Sequence, residues 1–418
     1  MSHVGDARPG TSGAIQIAGF LVHAGHVVEA GRPVIHLYGK SADGRLFLAR
    51  DRRFRPYFFV EASNAPALDS IAAGRPGVAI TLAAERALHR GPVLRVTVER
   101  EAEERRRREA LQAASIPTFE SDLRYSARYL IDRGIRGAFR VKGYPRPGHP
   151  SLSVDIVFDD PAIAPGTPRG EVAAAQTMPA LSVLSFDIET NATADRLLSI
   201  AIHGSGPDEV FLLANTAVAL PPHVRRFSDE ADLLRAFVAA VRARNPDILT
   251  GWNVVDFDLT VLRAVAARLG VTLALGRDGS PPRVTESRSF WAASTAAVAG
   301  RVVLDGMQLV RGSFVQMEEY GLEFVAQRVL GEGKTVAGDN RLDEIQALYR
   351  DDPARFAEYN LNDARLVVRI IEKLKLIDLA VERSLLTGMP LDRVGASIAS
   401  YDSLYLPVLR RRGFVAPA

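Results

Sequence analysis

The stretch Leu181 to Thr190, LSVLSFDIET, ends an apolar run in two acids one residue apart, Asp187 and Glu189. On a strand, side chains alternate between faces, so the two carboxylates form one shelf while Phe186 and Ile188 point the other way. Anions this close repel unless a cation sits between them. Hard oxygen ligands in this arrangement suit Mg²⁺ or Mn²⁺, which take one or two carboxylates, several waters and substrate phosphate oxygens. An isolated Asp-x-Glu also reads as a pair of surface acids on an edge strand.

Two further stretches offer acids of the same kind. NPDILTGWNVVDFDL, from Asn245 to Leu259, puts Asp258 at the opening turn of a helix, where the helix dipole and free N–H groups favour an anion. By itself Asp258 is equally an ordinary N-terminal helix acid. AEYNLNDARLVV lies in a helix opened by Asp352 as cap and Pro353 in the first turn. Its Tyr359 and Asp363, four apart, share one helix face a turn from each other. A lone Tyr-x-x-x-Asp has no meaning on its own.

The elements that must position these residues differ along the chain. Residues 14–60 alternate in strand fashion between Gly, Asp and Arg turn signals, which predicts a meander or small barrel. Helices are expected at Ser63 to Ala73 and Glu99 to Ala114; in the second, Arg105 to Arg108 read as a solvated face or a phosphate contact. Phe119 to Gly143 contains a short helix with Tyr125, Tyr129, Leu130 and Ile131 that Gly134 ends, flanked by Arg124, Arg128, Arg133, Arg136, Arg140 and Lys142. Aromatics interleaved with arginines fit a nucleic-acid groove, and they fit an aromatic core with an arginine rim as well. Asp159 to Met178, rich in Pro, Ala and Gly, is expected to link to a second domain.

From Leu181 the pattern becomes α/β. Strands are expected at 181–189, 197–203 and 209–213, a helix at 229–244, a short buried strand at 247–250 and a helix at 257–269 closed by Gly270. Residues 271–313 read as an inserted β segment around RSFWAAS and GRVVLDGMQLV, followed by helices at 322–330, 342–349 and 353–374. The domains are therefore expected at 1–158, mainly β and DNA-binding, at 179–375, α/β, and at 376–418, a helical tail, with the linker at 159–178.

A chain of 418 residues, 47% hydrophobic and 24% charged, has room for two or three globular domains. With no cysteine, disulfides, thiolate metal sites and Cys nucleophiles are excluded, which fits a reducing cytoplasm. Neither a signal peptide nor an apolar run of spanning length is present, so export and membrane insertion are not expected. Lys and Arg outnumber Asp and Glu in residues 1–150 and the acids outnumber the bases in the rest. That asymmetry suits a phosphate backbone across the first part and metal-bound carboxylates in the second.

FDIET, GWNVVDFD and YNLND, in this order, resemble the three exonuclease motifs of the family B DNA polymerases. ESDLRYSARYLIDRGI, GEGKT at 331–335 and the closing GMPLDRVGASIASYDSLYLPVLRRRGFVAPA are similar to the bacterial polymerase II branch of that family. The resemblance implies an RNase H-like 3′-5′ exonuclease domain preceded by a mainly β domain, acting on the single-stranded 3′ end of primer-template DNA in proofreading during replication or repair. It implies two ions, Mg²⁺ or Mn²⁺, with Asp187 bridging, Glu189 and Asp363 on the ion that activates water, and Asp258 on the second. Two such ions about 4 Å apart serve both sides of an in-line displacement. Tyr359 would orient the water through its hydroxyl; at a reference pKa of about 10 it is a positioning group rather than a base. Asn253 and Phe257 would lie near the frayed 3′ end, Arg124, Arg128 and Arg133 would meet nucleic acid, and His203 would take no part.

One departure accompanies the resemblance. No SLYPS-like or DTDS-like palm motif occurs, so these residues are not expected to polymerise DNA unless another chain supplies a palm. A non-catalytic DNA-binding remnant and a nuclease acting on RNA are the alternatives.

Overall fold

A computed structural model describes residues 13–72, 77–166, 179–215, 218–287, 294–332, 341–393 and 397–418, which form two compact units. The first gathers the described residues of Met1–Gly148, Val154–Pro179 and Asp402–Ala418. Strands β1 (Ile15–Glu29), β2 (Arg32–Ser41) and β3 (Leu46–Asp51) form the meander that the alternation predicts. The next strand, β4 (Tyr57–Glu61), leaves it for a second sheet. There it pairs with β6 (Pro92–Val98) and β7 (Thr118–Phe119), and β5 (Val78–Ala87) lies on the other side of β6. Residues 14–60 thus supply two sheets rather than one barrel.

The first sheet is extended by β8 (Ala138–Gly143) beside β1, and by β10 (Ile156–Asp159) and β9 (Pro145–Pro147) beyond β3. Where a linker is expected, Ala162–Pro165 form β11, hydrogen-bonded along β8. Proline at either end of so short a run hides a strand that pairing alone reveals. Residues 167–178 of the expected linker lie outside the described residues, as do Arg288 to Ala293 of RSFWAAS and Gly333 to Thr335 of GEGKT.

Helices α1 (Ala65–Ala72), α2 (Glu101–Ala113) and α3 (Tyr125–Arg133) complete this unit's middle. Gly134, at φ +64°, closes α3 in the left-handed conformation that a helix end favours for glycine. In α2 the arginine run is not one solvated face, because Arg107 is buried and Arg108 donates to the Ser121 carbonyl at 2.6 Å.

Two of the arginines expected to meet nucleic acid are turned to other work. Arg128 is only 2% exposed; it donates to the Glu120 carboxylate at 3.2 Å, and its guanidinium lies 4.3 Å over the Tyr57 ring. Arg133 reaches the buried carboxylate of Asp51 at 3.1 Å and stacks 3.7 Å over Tyr129. A buried guanidinium whose donors are taken by a carboxylate cannot also hold a phosphate, so Arg128 is removed from the DNA-contacting set. Arg124 is exposed.

The second unit gathers His149–Ser153 and the described residues of Ala180–Tyr401. Its strands are β12 (Val183–Thr190), β13 (Leu197–His203), β14 (Glu209–Leu213), β15 (Val224–Phe227), β16 (Ile248–Gly251) and β19 (Val302–Asp305), in the order β15-β14-β13-β12-β16-β19. β13 runs antiparallel to both β12 and β14, while β16 and β19 run parallel to β12. This is the strand arrangement expected of an RNase H-like domain. β17 (Arg283–Thr285) and β18 (Thr295–Ala297) form the inserted hairpin, but Val302–Asp305, expected in the same insert, belongs to the main sheet.

Helices cover both faces of that sheet. α4 (Glu230–Arg244) and α5 (Asp258–Leu269) bury Leu233, Phe237 and Leu262 in one cluster with Phe186 and Ile188 of β12. Beyond α6 (Gly306–Arg311), α7 (Leu322–Leu330) and α8 (Arg341–Asp351), the long α9 (Pro353–Lys373) covers the other face, with Phe356 and Leu361 clustered with Leu198 and Ala201. The expected tail divides. α10 (Leu376–Thr387) belongs to the second unit, whereas α11 (Ser397–Arg411) runs into Asp402–Ala418 of the first, whose β20 (Phe414–Val415) pairs in parallel with β5. Among the described residues no helix is long and apolar enough to cross a membrane.

One buried ion pair sits where three neighbouring strands, β12, β16 and β19, begin. The Asp247 carboxylate accepts the Ser182 N–H at 2.8 Å and the Arg277 guanidinium at 2.8 Å, and the Asp247 carbonyl accepts the Val302 N–H at 2.9 Å. Arg277 has no exposed side-chain surface. Arg277→Met should therefore leave a buried carboxylate without its cation and cost about 3–5 kcal/mol of stability. Urea unfolding of the two proteins measures the difference, and a loss below about 1 kcal/mol would contradict the role given to this pair.

Candidate active site

β12 lies between β13 and β16, so Asp187 and Glu189 do not belong to an edge strand. The alternation holds: Phe186 and Ile188 are buried, and the two acids are half-buried on the opposite face. Pairing between β12 and β16 ends at Ser185 and Thr250, so the acids stand beyond the point where β16 turns away. Gly251 makes that turn possible, since a Cβ there would come within 2.6 Å of the Phe186 carbonyl oxygen.

α9 brings the third acid across. Asp352 caps the helix by accepting the Arg355 N–H at 3.1 Å, and the following turns bury Phe356, Ala357, Tyr359, Asn360 and Asp363 against the sheet. Asp187, Glu189 and Asp363 each present an oxygen, all within 4.8 Å of one another. Three carboxylates at this separation are a donor set that fits a hard divalent cation. Tyr359, 1% exposed, belongs to the cluster with Leu198 and Val210, one turn before Asp363.

Asp258 stands apart from that triad but is held to the same strand. It opens α5, is 2% exposed, and accepts the Ile188 N–H at 3.0 Å. Burial, and after it the neighbouring Asp187 charge, pushes its carboxyl well above the usual range, while the Ile188 N–H works in the opposite direction. The turn leading to it places Asn253 in the left-handed region at φ +58°, a conformation that asparagine tolerates well. Phe257 keeps 39% of its surface exposed at the mouth of α5. His203 lies 2.7 Å from Asp208 and is absorbed in that pair.

Four residues at the site escaped the sequence reading. Asp305 caps α6 and accepts the N–H groups of Gln308 at 3.2 Å and Val255 at 3.3 Å, joining α6 to the Asn253–Phe257 turn. An acid closing an apolar run ahead of a helix was a legible cap signal. Gly251 was visible as the last residue before GWNVVDFD's turn. Asn360 and Ser199 gave no signal, because their partners are remote in sequence: Asn360 donates to the Asp187 carboxylate at 2.7 Å and accepts the Ser199 hydroxyl at 2.7 Å.

The chain is similar to known proteins in sequence and in fold. Residues 116–325 match the model of the DNA polymerase family B exonuclease domain. DNA polymerase II of Escherichia coli (strain K12) is 31% identical over 363 residues, which are 86% of this chain and 44% of that protein. The DNA polymerase delta catalytic subunit of Bos taurus is 27% identical over 84% of this chain and 33% of its own length. The solved family B DNA polymerase of the archaeon Pyrobaculum calidifontis superposes with a TM-score of 0.74 at 26% identity, over 96% of this chain and 51% of that one. The chain thus spans about half or less of the relatives it matches. With the acids of FDIET and YNLND converging on an RNase H-like sheet inside the matched fold, the chain belongs to family B of the DNA polymerases and contains that family's 3′-5′ exonuclease domain.

Proposed function

We propose that this chain removes nucleotides from DNA 3′ ends by hydrolysing the terminal phosphodiester, as the proofreading part of a polymerase II-like protein acting in replication or repair in the cytoplasm. The observation that bears most weight is the convergence of Asp187, Glu189 and Asp363 to within 4.8 Å. These residues would hold one Mg²⁺ or Mn²⁺ and Asp258, with Asp187, a second. When bound, such ions supply a water acidified toward hydroxide and stabilise the charge that builds on the leaving 3′ oxygen.

The chain's own groups do the rest. Tyr359 is given the task of orienting the attacking water, and Asp363 one turn later keeps it beside the carboxylates. Phe257 offers an exposed ring on which the terminal base can stack, a contact tolerant of sequence. Asn253 shapes the turn that presents Phe257 and Asp258 together. Nucleotide addition is assigned to a palm supplied by other sequence, in the same or a separate polypeptide. The first unit is assigned to DNA, with Arg124 as its remaining candidate contact.

Three outcomes follow from this reading. On 3′-mismatched primer-template DNA with Mg²⁺, Asp187→Ala and Asp258→Ala should each slow degradation by more than about 100-fold, since even outer-shell changes at metal sites cost about 10–100-fold. No degradation by the wild type, or undiminished degradation by both variants, would overturn the enzymatic assignment. Arg124→Ala should lower the slope of log affinity against log salt by about 1, measured by fluorescence anisotropy of labelled DNA; an unchanged slope excludes it as a phosphate contact.

The third concerns pH. The folded pKa of Asp258 lies above its unfolded value, so the folded state binds the extra proton and stability falls as pH rises from about 4 through the raised pKa. Asn carries no proton there. With chelator present, Asp258→Asn should melt above wild type at pH 7, with the gap closing toward pH 4 and reversing when Mg²⁺ is added, because the ion stabilises only the wild-type site. Differential scanning calorimetry at the two pH values reads both effects.

A further inference from the structure

From the residues around Asp187 we infer that Asn360 is the positioning residue for this carboxylate, and that Ser199 braces the far end of the Asn360 amide. The inference rests on the metal-centred reading above. Asn360 has no exposed surface. Its Nδ2 donates to Asp187 Oδ2 at 2.7 Å and to the Asp187 carbonyl at 3.2 Å, so one amide grips the side chain and the backbone of the same residue. Its Oδ1 accepts the Ser199 hydroxyl at 2.7 Å, in contact with no exposed surface on either side.

An amide can be turned end for end, and only one orientation serves Asp187. If the oxygen faced the carboxylate, two acceptors would meet and the donor would be wasted on Ser199. Asp187 presents only acceptors to the amide, its carboxylate and its carbonyl, and so fixes the NH₂ inward. The Ser199 hydroxyl, from β13, then donates to the amide oxygen and braces it. Three elements thereby fix one carboxylate: β13 through Ser199, α9 through Asn360, and β12 through Asp187 itself. A donor on Oδ2 also offsets part of the repulsion that Glu189 and Asp363 exert, and carboxylate lone pairs remain for a cation. The arrangement is an outer-shell tether of the kind that tunes metal sites, here built from a neutral amide so that it adds no charge to the cluster.

The site should therefore bind its ion more weakly when the tether is cut, without the fold being lost. The experiment is a Mn²⁺ titration of the full chain followed by electron paramagnetic resonance, which counts free ion and needs no turnover. Wild type is compared with Asn360→Ala, Ser199→Ala and the isosteric Asn360→Asp, each checked for a cooperative melt. Asn360→Ala should weaken Mn²⁺ binding about tenfold, the scale of one hydrogen bond to a charged group. Ser199→Ala should weaken it by about threefold, because the amide keeps its hold on Asp187 but loses the hydrogen bond that braces its oxygen. Asn360→Asp, which places a fourth acid beside Asp187, should change the number or affinity of bound ions in a way the alanine variant does not.

In exonuclease assays the Mg²⁺ concentration for half-maximal rate should rise for Asn360→Ala while the rate at saturating Mg²⁺ recovers; a residue that merely packs would lower the rate at every Mg²⁺ concentration. If wild type binds Mn²⁺ and a cooperatively folded Asn360→Ala binds it equally well, the tether is overturned and the metal centre stands. If wild type binds no Mn²⁺, the metal-centred reading itself fails. Should Asn360→Ala not fold, Ser199→Ala and Asn360→Asp decide, and wild-type affinity in both overturns the inference.

Discussion

Carboxylates brought together repel, and the second unit is organised around holding several of them where repulsion would drive them apart. Asp187, Glu189 and Asp363 share a region 4.8 Å across, with Asp258 buried beside Asp187. What opposes the repulsion is a set of donors aimed at the acids from rigid elements: the Ile188 N–H toward Asp258 and the Asn360 amide toward Asp187. Burial first, and the Asp187 charge after it, still push the Asp258 carboxyl above its usual range against the pull of the Ile188 N–H. A site so built is poised for metal, since the strongest way to relieve it is to bind positive charge.

The sheet makes the site possible by ending at two different places. At one end of β12 and β16, Ser182 and Asp247 are joined by hydrogen bonds and braced by the buried Arg277, so the strands start in fixed register. At the other end β16 stops at Gly251 while β12 continues, and the acids occupy the part of β12 that has lost a neighbour on that side. The chain then needs only the turn through Asn253 to bring Asp258 back to the Ile188 N–H. Precision comes from strands and helices, with one short turn, which is how a constellation is kept within a fraction of an ångström.

The first unit spends its arginines differently from what composition suggests. Tyr57 has the guanidinium of Arg95 at 3.6 Å, of Arg128 at 4.3 Å and of Arg410 at 5.7 Å from its ring, and its hydroxyl donates to Asp132 at 2.7 Å. Glu120 and Asp132 neutralise Arg128 and Arg410 within the same cluster. Planar guanidinium stacks on aromatic faces and pairs with carboxylates in the interior, so aromatic-plus-arginine sequence describes a bonded core as readily as a nucleic-acid groove.

Sequence alone determined the features that depend on local spacing. The shared face of Asp187 and Glu189 follows from strand alternation, the placement of Asp258 at a helix start from the helix signals around it, and the pairing of Tyr359 with Asp363 from helix periodicity. The order of the three motifs was enough to indicate the RNase H-like sheet. Tertiary structure decided whatever depends on contacts between remote residues: that β12 is central, that Ala162–Pro165 is a strand, that the last residues pair with β5, that Arg128 is buried, that Asn360 reaches Asp187 and that Ser199 reaches Asn360. Such facts are set by which surfaces meet when the chain closes on itself, and a contact across more than 160 positions leaves no mark in the local pattern of either residue.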